Sequence, residues 1–210
     1  MNFDPPDFVI LSHPRGGTHF LQASLASHPR VHGRGECILA RIRGKEPAGP
    51  YIFQNKPGCL NCAIVMYQHA ADFEDLCGPL GEFKLIHLLR GAGDVAMSVA
   101  QMEADRAVLG EAYKAHHRIF RPAPEHAPIS ARRVRALQAE IASLQKEMTD
   151  ELRDHPRLLT ITYEELTHGG QVNELAGQAA ASLLDFLGLE HLPLKNTLRK
   201  SAPAQYAFLP

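Results

Sequence analysis

Short apolar runs recur along the chain at residues 8–11 (FVIL), 62–67 (CAIVMY), 84–89 (KLIHLL) and 158–162 (LLTIT). Each has the length and branched or aromatic character of a strand. None shows the polar alternation of a strand with one wet face, so the pattern fits strands buried on both sides. Between them the spacing changes to helical steps. Phe20, Leu21 and Leu25 predict a helix after the first run, and residues 37–43 and 70–76 predict two short ones. Asp94 to Ser98 lie on a helix after the third run. Val134, Leu137, Ile141, Leu144, Met148 and Leu152 form one apolar stripe on a long helix that Ser130 can N-cap. Residues 171–187 predict a last helix, ended by Gly188. Strands alternating with helices predict an α/β fold: a central parallel β-sheet flanked by helices. A length of 210 residues suits one such domain.

The turn after the first run carries the chemistry. Ser12-His13-Pro14-Arg15-Gly16-Gly17-Thr18 joins a buried strand to a helix. Glycines let backbone N–H groups approach an anion, and the helix start adds unpaired N–H groups and the positive end of a dipole. Arg15 adds a permanent cation. The expected ligand group is phosphate or sulfate; the plainer alternative is a tight connection with no ligand. The magnesium-nucleotide version of such a loop, GxxxxGK(S/T), places a lysine on the terminal phosphates and a hydroxyl on the metal. This loop has no lysine, and His19 follows Thr18. The third run ends at Arg90, followed by Gly91-Ala92-Gly93 and the helix carrying Asp94 and Ser98. Ends of strands facing helix starts are where open α/β sheets bind ligands.

Pro14-Arg15-Gly16-Gly17-Thr18 resembles the PRSGT or PKSGT loop of sulfotransferases that use 3'-phosphoadenosine 5'-phosphosulfate (PAPS). Ser27-His28-Pro29-Arg30-Val31 and Gly35-Glu36 are similar to the "SHP.V…GE" continuation of bacterial members. Arg90 with Ser98 resembles the family's second motif, whose arginine and serine hold the 3'-phosphate. Tyr163-Glu164-Glu165-Leu166 resembles "YEDL", whose tyrosine lies near the adenine, and 186–189 resembles "FLGL". Arg199, Lys200 and Ser201 match the basic loop that closes over the donor. Gly16 stands where serine is usual, and His19 where a second threonine or serine is common.

The resemblance implies a three-layer sandwich like that of the P-loop NTPases. It covers most of the chain, least at 40–60 and 104–155, and implies one sulfotransferase-like domain over 1–210 with a helical acceptor-side insertion at about 104–155. It implies sulfuryl transfer from PAPS to the hydroxyl of a small-molecule, carbohydrate or lipid acceptor. Pro14, Arg15, Gly16, Gly17, Thr18, His19, Arg90, Ser98, Tyr163, Arg199 and Lys200 would hold the donor. Arg15 would also stabilise charge on the leaving oxygen. The leaving group is already a phosphate, so no metal is required. The base that takes the acceptor proton is Glu36, which matches the "GE" glutamate. The alternative is His69, which follows the second strand roughly where cytosolic members carry histidine. A purely structural Glu36 would pair with Arg34 or Arg41. Two other readings stand beside this one: a P-loop nucleotide kinase, which needs the missing lysine, and a non-catalytic relative that binds PAPS or its product PAP.

Composition narrows the setting. A formal net charge of -1 gives no bulk attraction to nucleic acid or anionic membrane. No apolar run reaches the roughly 18 residues of a membrane span. The start, MNFDPPDF, lacks the basic and apolar regions of a secretory signal, so the expectation is a cytoplasmic protein. The cysteines are Cys37, Cys59, Cys62 and Cys77. Cys59 and Cys62 form a CxxC without a second ligand pair, so reduced, partly buried thiols are expected rather than zinc. The proline-bearing stretch 118–130 and His116-His117 form either an acceptor lid or a solvated surface. The stripe on the long helix packs on the sheet, on a neighbouring helix, or in a homodimer.

Overall fold

The structure is a computed structural model and describes residues 3–45, 52–109, 127–167 and 174–195. Five strands form one parallel sheet in the order β2-β3-β1-β4-β5. They are β1 (Phe8–Ser12), β2 (Val31–Gly33), β3 (Leu60–Met66), β4 (Lys84–Leu89) and β5 (Leu158–Thr162). The helices are α1 (Thr18–Leu25), α2 (Cys37–Ile42), α3 (Ala70–Cys77), α4 (Ala92–Leu109), α5 (Ala131–Glu151), α6 (Tyr163–Thr167) and α7 (Gly177–Leu187).

β1 is central and fully buried, which is why its sequence reads as an unbroken apolar run. Phe8 and Ile10 face α1 and α7, with Leu21, Leu25, Leu183 and Leu187 in the same cluster. Val9 and Leu11 face α2 and α3, packing with Ile38 and Phe73. Helices on both faces of a parallel sheet give the three layers expected.

Four strands fall where the apolar runs predict them, with small shifts. β3 begins two residues early, at Leu60, because Leu60 and Asn61 pair with the short β2. Tyr67 leaves the strand and opens a single 3₁₀ turn, Tyr67–His69. β2 has no sequence signal: only Val31 of its residues is an apolar, buried one. The last helix begins at Gly177 rather than 171; residues 168–173 lie outside the described part.

The stripe on α5 divides. Val134, Leu137 and Ile141 pack with Val95, Ala96 and Ala100 of α4. Met148 and Leu152 instead join the cluster under β1 and β4, and Leu144 is exposed. Apart from Leu144, these stripe residues are covered from within the chain. Ser130 caps α5 as expected, its Oγ accepting from the Arg133 N–H at 3.4 Å.

Candidate functional site

The sheet order fixes where a site can form. The chain leaves β1 toward β2 on one side and leaves β4 toward β5 on the other. The C-terminal ends of β1 and β4 therefore flank the point where connections diverge, the usual ligand crevice of an open α/β sheet. The 13–17 loop follows β1, and Arg90 follows β4.

Arg15 holds φ at +69°, the one non-glycine residue among those described with a positive φ. Such a backbone is uncommon for a side chain this large and persists where the surroundings enforce it. Its carbonyl oxygen accepts from Arg90 Nη1 at 3.1 Å, and its Nε donates to Ser98 Oγ at 3.0 Å. The two arginines and the serine singled out in the sequence are thereby joined in one cluster. Gly17, at φ +98°, precedes α1 and supplies no side-chain cap. A Cβ there would lie 2.3 Å from the Tyr163 ring, so glycine is required by close approach as well as by φ.

Tyr163 packs on the loop from α6, with Phe20 at its edge, ring centroids 5.7 Å apart. The Arg90 guanidinium lies over the same ring, 4.7 Å from its centroid. Burial pushes the Tyr163 hydroxyl up, and the neighbouring Arg90 charge works against that shift. Arg90 Nε is buried and has no hydrogen-bond partner among the described residues. A buried guanidinium N–H left unpaired is costly, and an anion would satisfy it.

The Arg90 turn is held by two residues that the sequence did not single out. Glu164 Oε1 accepts from the Gly91 N–H at 3.2 Å, and Gln145 Nε2 donates to the Arg90 carbonyl at 2.9 Å. Glu164 stood inside a quoted motif but carried no expected role. Gln145, a polar residue on a mostly exposed helix, gave no signal.

Glu36 lies at the N-terminus of α2 and meets His19 of α1, Oε1 to Nε2 3.7 Å. Its structural partner is not Arg34. That guanidinium is fully buried and donates to the carbonyls of Asp4, Ile52 and Phe53 and to Asn55 Oδ1. Gln22, one helical turn after His19, sets the Glu36 turn in place. Its Oε1 accepts from the Gly35 N–H at 3.1 Å, and its Nε2 donates to the Cys62 carbonyl at 3.1 Å. Gln22 was also unmarked in the sequence; a polar residue on the buried side of α1 was the available clue.

His69 closes the 3₁₀ turn after β3 and pairs with Asp72 at 2.8 Å. It is thus held at the start of α3. Beneath the strand ends lies a second histidine, His87 of β4, fully buried and 2.7 Å from the Tyr67 hydroxyl. Burial lowers His87 to about 4 and raises Tyr67, so both are neutral near pH 7. All four cysteines are free, and burial pushes Cys37 and Cys77 to about 11 and Cys62 to about 12. This matches the reduced, partly buried thiols expected from the sequence. Among the described residues no cluster of His, Cys, Asp and Glu is placed to hold a metal ion, and no helix is long and apolar enough to cross a membrane. Arg199, Lys200, His116, His117 and residues 118–126 lie outside the described part.

No family model and no curated protein matches the chain. Solved structures do. The sulfotransferase domain from the curacin biosynthetic pathway is 14% identical, with TM-score 0.56, over 98% of this chain and 95% of that one. A sulfotransferase from Alicyclobacillus acidocaldarius is 18% identical, with TM-score 0.55, over 94% of this chain and 87% of that one. Mouse sulfotransferase SULT7A1, solved with PAP, is 15% identical, with TM-score 0.53, over 90% of this chain and 61% of that one. At these identities the likeness shows a common fold, and the chain has the α/β fold of these sulfotransferases.

Proposed function

We infer that the protein is a sulfotransferase that moves a sulfuryl group from PAPS to an acceptor hydroxyl. The observation that carries this reading is the joining of Arg15, Arg90 and Ser98 in one cluster against Tyr163 at the divergence of β1 and β4. That cluster presents two permanent cations and a buried, unpartnered N–H, chemistry suited to a polyanionic nucleotide. The shared fold and the PAP bound to one structural neighbour agree with it.

In this reading Arg90 and Ser98 hold the 3'-phosphate, and Tyr163 borders the adenine. Pro14, Gly16, Gly17, Thr18 and His19 cradle the 5'-phosphosulfate, with Arg199 and Lys200 contributing from the C-terminal segment. Arg15 stabilises charge developing on the phosphate oxygen as the sulfuryl group departs. The acceptor oxygen attacks sulfur in line as the S–O bond to the 5'-phosphate breaks, by analogy with phosphoryl transfer. Glu36 accepts the acceptor proton. His69 is the other candidate base, and its imidazole already has Asp72 as partner.

The test is thermal denaturation with and without PAP. PAP is expected to raise Tm by several degrees at concentrations well above Kd, through binding to the native state alone. Arg90→Ala should remove most of that shift, and should itself lower the unliganded Tm by losing the bond to the Arg15 carbonyl and the contact with Tyr163. If millimolar PAP leaves the wild-type Tm unmoved, the donor reading is wrong. A shift by magnesium ATP with none by PAP would support a nucleotide kinase instead.

A further inference from the structure

We propose that His19 is the proton outlet for Glu36: the carboxylate takes the proton from the attacking oxygen, and the imidazole passes it to solvent. This rests on the sulfotransferase reading and deepens it at one site.

The placement argues for a division of labour. His19 Nε2 and Glu36 Oε1 are 3.7 Å apart, and the Glu36 side chain is 17% exposed against 48% for His19. Glu36 is the less exposed of the pair and His19 is half open, so a proton arriving on the carboxylate has a titratable neighbour with readier access to water. Histidine changes charge near neutral pH without environmental help, which suits it to relay protons. The geometry is also built rather than incidental. His19 and Gln22 lie three residues apart on α1, and Gln22 clamps the Gly35 N–H beside Glu36. One helix therefore fixes the glutamate turn through its backbone and meets its carboxylate through His19. The same helix begins directly after the Arg15-Gly16-Gly17 loop, so the relay starts beside the reacting group.

The step balances as follows. The acceptor O–H bond breaks, its proton goes to Glu36, and its electron pair forms the new bond to sulfur. The S–O bond to the 5'-phosphate breaks, and its pair leaves with PAP. Glu36 passes that proton to His19, across one bridging water or after the 3.7 Å gap closes to hydrogen-bond reach, and the imidazolium releases it to water, restoring the carboxylate for the next turnover.

The experiment follows loss of the radiolabelled sulfuryl group from PAPS, as sulfate with water or as phenyl sulfate with phenol as acceptor. It compares wild type, His19→Thr, His19→Ala and Glu36→Gln, with the PAP-induced Tm shift measured in each. PAP should stabilise all four proteins. Glu36→Gln should lose about 100-fold or more in kcat and His19→Thr about tenfold, the scale of a positioned proton-transfer group. The KM for PAPS should rise modestly in the histidine variants, because His19 also borders the 5'-phosphosulfate, but the kcat loss should persist at saturating PAPS. Added imidazole should restore turnover to His19→Ala and not to Glu36→Gln. Three results would overturn the relay: histidine variants with wild-type kcat, a loss confined to KM, or a kcat loss that imidazole does not recover. A wild type stabilised by PAP that transfers no sulfuryl group would also overturn it while leaving donor binding intact. A wild type with no PAP shift would remove the donor reading itself.

Discussion

A side chain at position 16 would place its first carbon 2.1 Å from Ser12 Oγ and 2.9 Å from the His13 carbonyl oxygen. Ser12 is at the end of β1, and its hydroxyl donates to the Leu88 carbonyl at 2.7 Å, so it is pinned between two central strands. The space that a loop serine would use is already occupied by a serine from the strand. This gives a physical reason for the glycine in a loop that otherwise resembles PRSGT. Gly16→Ser should destabilise the protein by about 1–3 kcal/mol, the range of overpacking in a rigid site. Ser12→Ala alone should cost about 1 kcal/mol for its lost hydrogen bond. The double variant should be more stable than the sum of the two, because removing the Ser12 hydroxyl makes room for the new side chain. Urea denaturation of the four proteins closes the cycle. Strict additivity would show that the two positions do not compete.

At the scale of elements, β4 departs from a plain core strand, since His87 stands among Leu85, Ile86 and Leu88 with no exposed surface. Its folded-state value of about 4 lies below the ordinary 6.5 because burial penalises the charged ring. Between those two values the unfolded chain binds a proton that the native state refuses, so stability rises with pH. The contribution is fully present above 6.5 and is lost as pH falls from about 6.5 toward 4. The span corresponds to about 3 kcal/mol. Chemical denaturation from pH 7 to 4.5 should show this slope. His87→Leu combined with Tyr67→Phe, which removes both ends of the buried hydrogen bond, should flatten it. An unchanged slope would place the acid sensitivity elsewhere.

β4 also marks where the sequence was and was not legible. Its apolar run announced a strand even with the histidine inside, because burial on both faces dominates composition. β2 was invisible because three edge residues with one apolar member have no period to read. Arg15, Arg90 and Ser98 were legible through motif spacing. Gln22, Gln145 and Glu164 were not, because each acts by side-chain bonds to distant backbone groups. Such bonds depend on tertiary placement and leave no pattern in a linear chain. The Glu36–His19 contact was missed for the same reason, although both residues were marked individually.

Across the whole molecule, the cluster draws on elements far apart in sequence: the loop before α1, the start of α4, α5 through Gln145, and α6 through Tyr163 and Glu164. α3, by contrast, belongs to the core on the other side of β1, through Phe73. A donor bound at the divergence of β1 and β4 should therefore tie together segments that meet across the cluster through side-chain hydrogen bonds and the Tyr163 ring. Hydrogen exchange with and without PAP tests this directly. Local opening governs exchange in such surface turns, so ligand contacts should slow it there. Protection is expected in 13–19, 90–98 and 163–167, with α3 and β2 unchanged. Arg90→Ala should erase the effect in all three segments together, since its guanidinium meets both the loop carbonyl and the Tyr163 ring. Protection centred on His69 to Cys77 would move the donor to the other side of β1 and make the His69–Asp72 pair, not Glu36, the group nearest the chemistry.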